Sequence, residues 1–169
     1  GGGKTFLAAN AIRPVFDSMS GNHPKAVVWL VPSDAILKQT VKALQNREHF
    51  YRRKIDMDFN GAVEVYTKEE LMNGQNFSPV SVMENLSVFV LSYDSFRTSK
   101  KEGRKSFQGN GALLFFSRYP VKKEVYLPDV DETALIQVIR QLNPVVIVDE
   151  SHHAVSKLSR EMLQHFNPS

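Results

Sequence analysis

The sequence predicts an α/β domain with a mostly parallel sheet and helices on both faces. Three observations predict it. Residues 26–31 (AVVWLV), Leu86–Ser92 (LSVFVLS) and Val145–Val148 (VVIV) are apolar runs rich in β-branched residues, without regular polar alternation. Strands buried on both faces read this way, and such strands belong to parallel sheets. The first run passes through Pro32-Ser33 into an amphipathic segment with almost no loop, which is half of a βαβ unit. At 169 residues the chain is long enough for one well-buried domain and short for two.

The elements follow in order. Residues 4–12 are rich in Ala and Leu and suit a helix, which Pro14 should kink or end because proline lacks the amide donor and clashes with the preceding turn. SGNHP is a loop by composition. After the first strand, Ser33 is placed to cap a helix over SDAILKQTVKALQ, with Asp34 favourable in its first turn and Leu37, Val41 and Leu44 on one stripe. NREHFYRRK is polar and basic. AVEVY reads as a short strand, and Thr67 and Glu70 stand at capping-box spacing. LSVFVLS is the next buried strand. Residues 96–111 read as an exposed, irregular excursion, and ALLFF is ambiguous between strand and buried turn. Asp131 opens a helix with Ala134, Leu135, Val138, Ile139 and Leu142 as its apolar stripe, stopped by Asn143-Pro144. VVIV is the cleanest buried strand, and residues 156–166 read as a further helix.

Composition narrows the chemistry. There is no cysteine, which removes disulfides, cysteine-zinc sites and cysteine nucleophiles together. The absence of cysteine also fits a cytoplasmic protein; no apolar run is long enough to span a bilayer, so no membrane partner is expected, and no secretory leader is visible, although one would be lost in a mature or truncated chain. The net charge of +3 is modest, but its distribution is uneven. Residues 97–123 hold Arg97, Lys100, Lys101, Arg104, Lys105, Arg118, Lys122 and Lys123 against the single acid Glu102. Such a stretch is either a solvated face or a nucleic-acid contact surface.

Two motifs carry chemistry. The chain opens GGGKT, and Gly3-Lys4-Thr5 matches the end of the phosphate loop G-x-x-x-x-G-K-[ST]. Gly1 and Gly2 would be its last variable positions. Glycines let backbone amides turn toward phosphate oxygens, and the helix start adds unpaired amides and a positive dipole end. The lysine is a charge for the outer phosphates of ATP, and the Thr5 hydroxyl is a ligand for Mg²⁺. The alternative reading of the glycines is a linker scar. The second motif is Asp149-Glu150, directly after VVIV. Open α/β sheets bind ligands at the carboxyl ends of their strands. There Asp149 would hold the metal through its water shell and Glu150 would orient or deprotonate the attacking water. The bland alternative is two acids at a helix start. His152 and His153 resemble zinc ligands in type, but no further ligand set accompanies them.

GGGKT, VVWLVPSDAILKQT and VVIVDESHH, in that order, resemble the first motor domain of superfamily 2 helicases and translocases, and more narrowly the DEAD/DEAH-like type III restriction enzyme Res subunits. Asp149-Glu150-Ser151-His152 reads as the D-E-x-H box. The resemblance implies a RecA-like P-loop NTPase fold with three layers, ATP and Mg²⁺ as cofactors, and ATP hydrolysis coupled to movement on nucleic acid, DNA ahead of RNA. It implies Lys4, Asp149, Glu150 and His152 as catalytic, Gly1, Gly2, Gly3, Lys4 and Thr5 as nucleotide-binding, and Thr5 and Asp149 on the metal. His152 would relay the state of the outer phosphate to another element. Pro32 and Ser33 resemble the loop and helix start that touch the nucleic-acid backbone. Ser92, Tyr93 and Ser95, with Arg97 following, resemble the strand-end contact to the tracking strand. For Ser33 and Tyr93 the plain alternatives are a helix cap and a core aromatic. The resemblance also implies a second RecA-like domain and a modification subunit as partners. On this reading residues 1–169 are one ATP-binding domain cut at both ends, and the isolated chain is a poor ATPase. Two rivals stay open: a nucleotide-gated switch or regulatory ATPase that never touches nucleic acid, and a non-enzymatic binding module.

Overall fold

The computed structural model of the chain describes residues 2–18 and 23–148, with backbone alone for residues 2–7. It is an α/β fold around a four-stranded, all-parallel sheet in the order β2-β3-β1-β4. The strands are β1 (Lys25–Val31), β2 (Val63–Tyr66), β3 (Leu86–Ser92) and β4 (Val145–Val148). In β1 and β3 the register runs from Lys25 against Leu86 to Val31 against Ser92, while Val27–Leu30 of β1 also pair with Val145–Val148.

Because successive side chains of a strand point to opposite faces, each strand feeds two cores. Ala26, Val28 and Leu30 belong to one, and Val27, Trp29 and Val31 to the other. The Trp29 face is covered by α1 (Gly2–Asp17), α2 (Asp34–Gln45) and α3 (Phe50–Asp58), through Ala9, Ile12, Phe16, Leu44 and Ile55. The opposite face is covered by α4 (Lys68–Met72), α5 (Pro79–Glu84) and α7 (Leu135–Gln141), by the 3₁₀ turns Tyr93–Phe96 and Gly111–Arg118, and by the aromatic group Tyr66, Phe77, Phe89 and Phe116.

Several local expectations are met. Ser33 Oγ accepts from Ile36 N at 3.3 Å and caps α2. Thr67 and Glu70 form a reciprocal capping box at the start of α4, with bonds of 2.9 and 3.2 Å. Leu44 is fully buried, and Leu37 and Val41 pack against the same core.

Others need correction. α1 does not end at Pro14 but carries it internally and continues to Asp17. Continuation is favoured because Phe16 is buried and packs edge-on against Phe59 at 6.3 Å, outweighing one lost amide bond. The polar, basic stretch after α2 is α3, whose Arg52 and Ile55 are buried. ALLFF is neither strand nor simple turn: it lies in the 3₁₀ segment Gly111–Arg118, which buries Leu113 and Phe116 and exposes Leu114 and Phe115. The helix expected from Asp131 begins at Leu135, and Asp131 instead ties off the preceding turn by accepting from the Thr133 amide at 2.8 Å and hydroxyl at 2.6 Å. β4 is half-buried, not fully buried, because among the described strands it sits at an edge and pairs only with β1. Residues 149–169, with the expected final helix, lie outside the described residues, as do residues 19–22 of the SGNHP loop.

The excursion is also more ordered than composition suggests. α6 (Lys101–Lys105) packs so closely on the turn after β3 that a Cβ on Gly103 would lie 1.9 Å from Arg97 O and 2.6 Å from Arg97 N. Both are backbone atoms and cannot rotate away. Gly103→Ala should therefore destabilise the chain by about 1–3 kcal/mol. Urea unfolding checks this, with Gly111→Ala as the matched control, since a Cβ there meets nothing within 4 Å. Equal stability of the two variants would contradict the close approach.

Candidate functional site at the carboxyl edge of the sheet

The direction of α1 decides what can meet at the sheet's carboxyl edge. Arg13, in the C-terminal half of α1, donates to Asp58 O and stacks its guanidinium 5.6 Å from the centre of the Phe59 ring. Lys25, the first residue of β1, lies 5.7 Å from the centre of the same ring. The C-terminal half of α1 thus sits at the amino end of β1, and α1 runs antiparallel to the strands. From Arg13 back to Gly2 the helix rises about 16 Å, close to the roughly 20 Å from Lys25 to Val31 along β1. The N-terminus of α1 is thereby brought to the carboxyl edge. Gly2, Gly3, Lys4 and Thr5 form its first turn, with Gly2 and Gly3 as helical residues; Gly1 lies outside the described residues.

β4 ends at the same edge, since Val148 pairs with Leu30 of β1. Asp149, Glu150, His152 and His153 follow in the chain and lie outside the described residues. The described geometry therefore brings the helix start and the strand end to one edge.

β1 and β3 also end side by side there, with Val31 opposite Ser92. Pro32 and Ser33 are half-buried, and Ser33 is occupied in capping α2. Ser92 and Tyr93 are each 7% exposed, and Ser92 Oγ lies 3.4 Å from Ser95 Oγ. Tyr93 belongs to the core cluster. Arg97 is half-exposed at the rim and pairs with Asp94 at 3.2 Å.

Lys68 was not singled out by its sequence context. From the start of α4 it donates to Ser95 O at 2.8 Å and Glu102 O at 2.7 Å. Ser106 Oγ also donates to Ser95 O, at 2.8 Å. These bonds lock the turn after β3 to α6. Burial holds the Lys68 ammonium below its usual pKa. The sequence signal for this role would have been one lysine directly after a capping threonine, which is too common to read.

Part of the basic excursion is paired near this edge. Asp94 pairs with Arg97 and with Lys100, the latter at 2.8 Å, and Glu102 pairs with Lys105 at 3.2 Å. Arg118, Lys122 and Lys123 are exposed, with no ion pair among the described residues.

An all-parallel sheet flanked by helices on both faces, with the start of its first helix toward the carboxyl edge, is consistent with a RecA-like fold of the P-loop NTPase class. A family model described as type III restriction enzyme, res subunit, matches residues 1–169, and the chain belongs to that family. No curated protein and no solved structure gave a match. At the level of the family this is an ATP-dependent, helicase-like motor domain, and helicases of this kind use ATP and Mg²⁺ and interact with nucleic acid. Among the described residues no helix is long and apolar enough to cross a membrane.

Proposed function

We propose that the chain is the ATP-hydrolysing motor domain of a D-E-x-H-type helicase or translocase whose turnover depends on nucleic acid, DNA ahead of RNA. The observation that carries this reading is the convergence of the α1 start and the β4 end on the edge where β1 and β3 also finish. The residue types fit the expected ligands: a helix start with glycines, lysine and threonine for a nucleotide's phosphates, and a carboxylate pair after β4 for a metal and a water. Mg²⁺ would be held by Thr5 and Asp149 and would supply charge neutralisation at the outer phosphates. Lys4 binds those phosphates, Glu150 orients or deprotonates the attacking water, and His152 links the site to its neighbours. Pro32, Ser33 and Arg97 meet the nucleic-acid backbone, while Ser92 and Tyr93 shape the turn that presents Arg97. A second RecA-like domain would supply the arginines that complete the site, and a modification subunit would join it in a restriction system. The setting is the cytoplasm, where ATP and nucleic acid are both present.

The test is ATP hydrolysis, with Mg²⁺, by a protein carrying this domain, with and without single-stranded DNA, duplex DNA and RNA. Stimulation that fades as salt rises is expected, because phosphate contacts release counterions. ATPase activity indifferent to every nucleic acid would favour the regulatory-switch reading. Lys4→Ala in that protein should weaken nucleotide binding by about 10- to 100-fold, the scale of a lost charge-assisted contact, and stop hydrolysis. Unchanged nucleotide affinity would remove Lys4 from the phosphates.

A further inference from the structure

The opposite pole of the sheet carries a second surface. A groove of about 470 Å³ opens there, bordered by Pro24, Glu84 and Leu142, which stand just before β1, β3 and β4. Its walls include Val80, Met83 and Tyr119, all well exposed. Next to Tyr119 the chain presents two further exposed rings, Phe115 and Tyr126, interleaved with the cations Arg118, Lys122 and Lys123. Tyr119 and Phe115 are 60% and 57% exposed, and the Arg118 guanidinium lies 4.8 Å from the centre of the Phe115 ring.

This loop is held in shape. The buried Gln137 accepts from Leu127 N at 2.8 Å and donates to Val125 O at 3.3 Å. Arg140 donates to Val125 O at 2.8 Å, and Tyr126 OH accepts from Val121 N at 3.3 Å. Two side chains of α7 thus fix a loop whose own side chains point rings and cations into water. Apolar surface left outside the core in this way marks an interaction site, and pre-fixing it lowers the ordering cost of binding.

We infer that residues 115–126 and the adjoining groove form an accessory binding surface for single-stranded nucleic acid. Unpaired bases offer flat apolar faces to stack on Phe115, Tyr119 and Tyr126, and the strand's phosphates meet Arg118, Lys122 and Lys123. A duplex keeps its bases stacked inside and has nothing to offer the rings. A protein partner fits less well, because interface cores are depleted of lysine and this surface carries two beside its rings. The surface lies at the other end of the strands from Pro32, Ser33 and Arg97. It therefore adds a site to the proposed motor and does not depend on that reading.

The experiment is fluorescence anisotropy of a labelled oligo(dT) with the 169-residue chain across a salt series. Tyr119→Ala should weaken binding about 5- to 100-fold, the scale of one lost base–aromatic stack, while Tyr119→Phe and Tyr119→Trp should retain it. The double variant Lys122→Gln/Lys123→Gln should flatten the slope of log K against log salt by about 1.4, for two lost single-strand phosphate contacts. Unchanged binding by Tyr119→Ala, equal loss in Tyr119→Phe, or an unchanged salt slope would each overturn the inference. So would a groove that takes a leucine- and glutamate-rich peptide while oligo(dT) binding ignores Tyr119→Ala. Tyr119-dependent binding without nucleic-acid-stimulated ATPase would leave this surface standing and remove the motor reading; stimulated ATPase with Tyr119-independent binding would do the reverse.

Discussion

Arg52→Met is expected to destabilise the chain by about 3–5 kcal/mol, the usual cost of removing one partner from a buried charged network. Arg52 is 4% exposed, and each nitrogen of its guanidinium donates a hydrogen bond. Nη1 donates to Leu44 O at 2.8 Å, Nη2 to Val63 O at 3.0 Å, and Nε to Asp56 at 2.9 Å. Each acceptor has a reason to need it. Leu44 is in the last turn of α2, where helix carbonyls have no partner within the helix and a cation is favourable. Val63 opens β2, an edge strand. Its neighbour Ala62 turns its carbonyl inward to Leu86 N, so the Val63 carbonyl points to the open side. Val65 has the same parity, and its carbonyl accepts from Gln45 Nε2 at 3.1 Å. Arg52 and Gln45 together cap the carbonyls of an edge that would otherwise invite another strand. Methionine fills much of the space and satisfies none of the acceptors. Urea unfolding measures the loss, with Arg47→Met as control. Arg47 is exposed and only 3.5 Å from Asp56, so its removal should change stability by no more than about 1 kcal/mol. A loss below about 1 kcal/mol for Arg52→Met would show that water, not this guanidinium, satisfies those carbonyls.

Arg52 also marks where the sequence stops being readable. The strands were legible because a continuous β-branched run has few other uses: LSVFVLS matches β3 end to end, and VVIV matches β4. The caps were legible because Ser33 and Thr67 act on amides three residues away. Inside NREHFYRRK, however, three arginines look alike, and only the packing of α2, α3 and β2 makes one of them a buried tie. The excursion is exposed over most of its length, as its composition indicates, but its regularity is hidden for a similar reason. Its order comes from one glycine that lets α6 touch the Arg97 backbone six residues earlier and from Lys68 bonding across from α4, a long-range contact. The helix runs past Pro14 instead of ending there because of the burial of Phe16, which local helix rules omit. β4 was judged by its composition, which is that of a central strand, whereas exposure depends on which strands lie beside it. At the candidate site, motif spacing indicated which residues to look for, and the direction of α1 is what the structure adds.

Glu150→Gln should lower ATP turnover at least about 100-fold while leaving nucleotide affinity nearly unchanged. The reasoning starts from chemistry that the proposed site must perform. Water is a poor nucleophile, and transfer of the outer phosphoryl group depends on positioning it and on drawing off its proton. A carboxylate does both; an amide of the same shape keeps some hydrogen bonding and cannot take the proton. Removal of a positioned general base typically costs 10²–10⁴-fold in rate. Binding should survive, because the phosphates are held by other groups of the proposed site: the helix start, Lys4, and the metal on Thr5 and Asp149. This split separates Glu150 from its neighbour. Asp149→Asn should weaken metal-dependent nucleotide binding as well as turnover, since in the proposed site it is a ligand and not the base. The measurement is steady-state ATP hydrolysis beside equilibrium binding of a labelled nucleotide with Mg²⁺, in a protein carrying this domain. A Glu150→Gln variant that turns over within a few-fold of the parent would take the base away from this position. A variant that loses binding and turnover together would make Glu150 part of the nucleotide cradle instead.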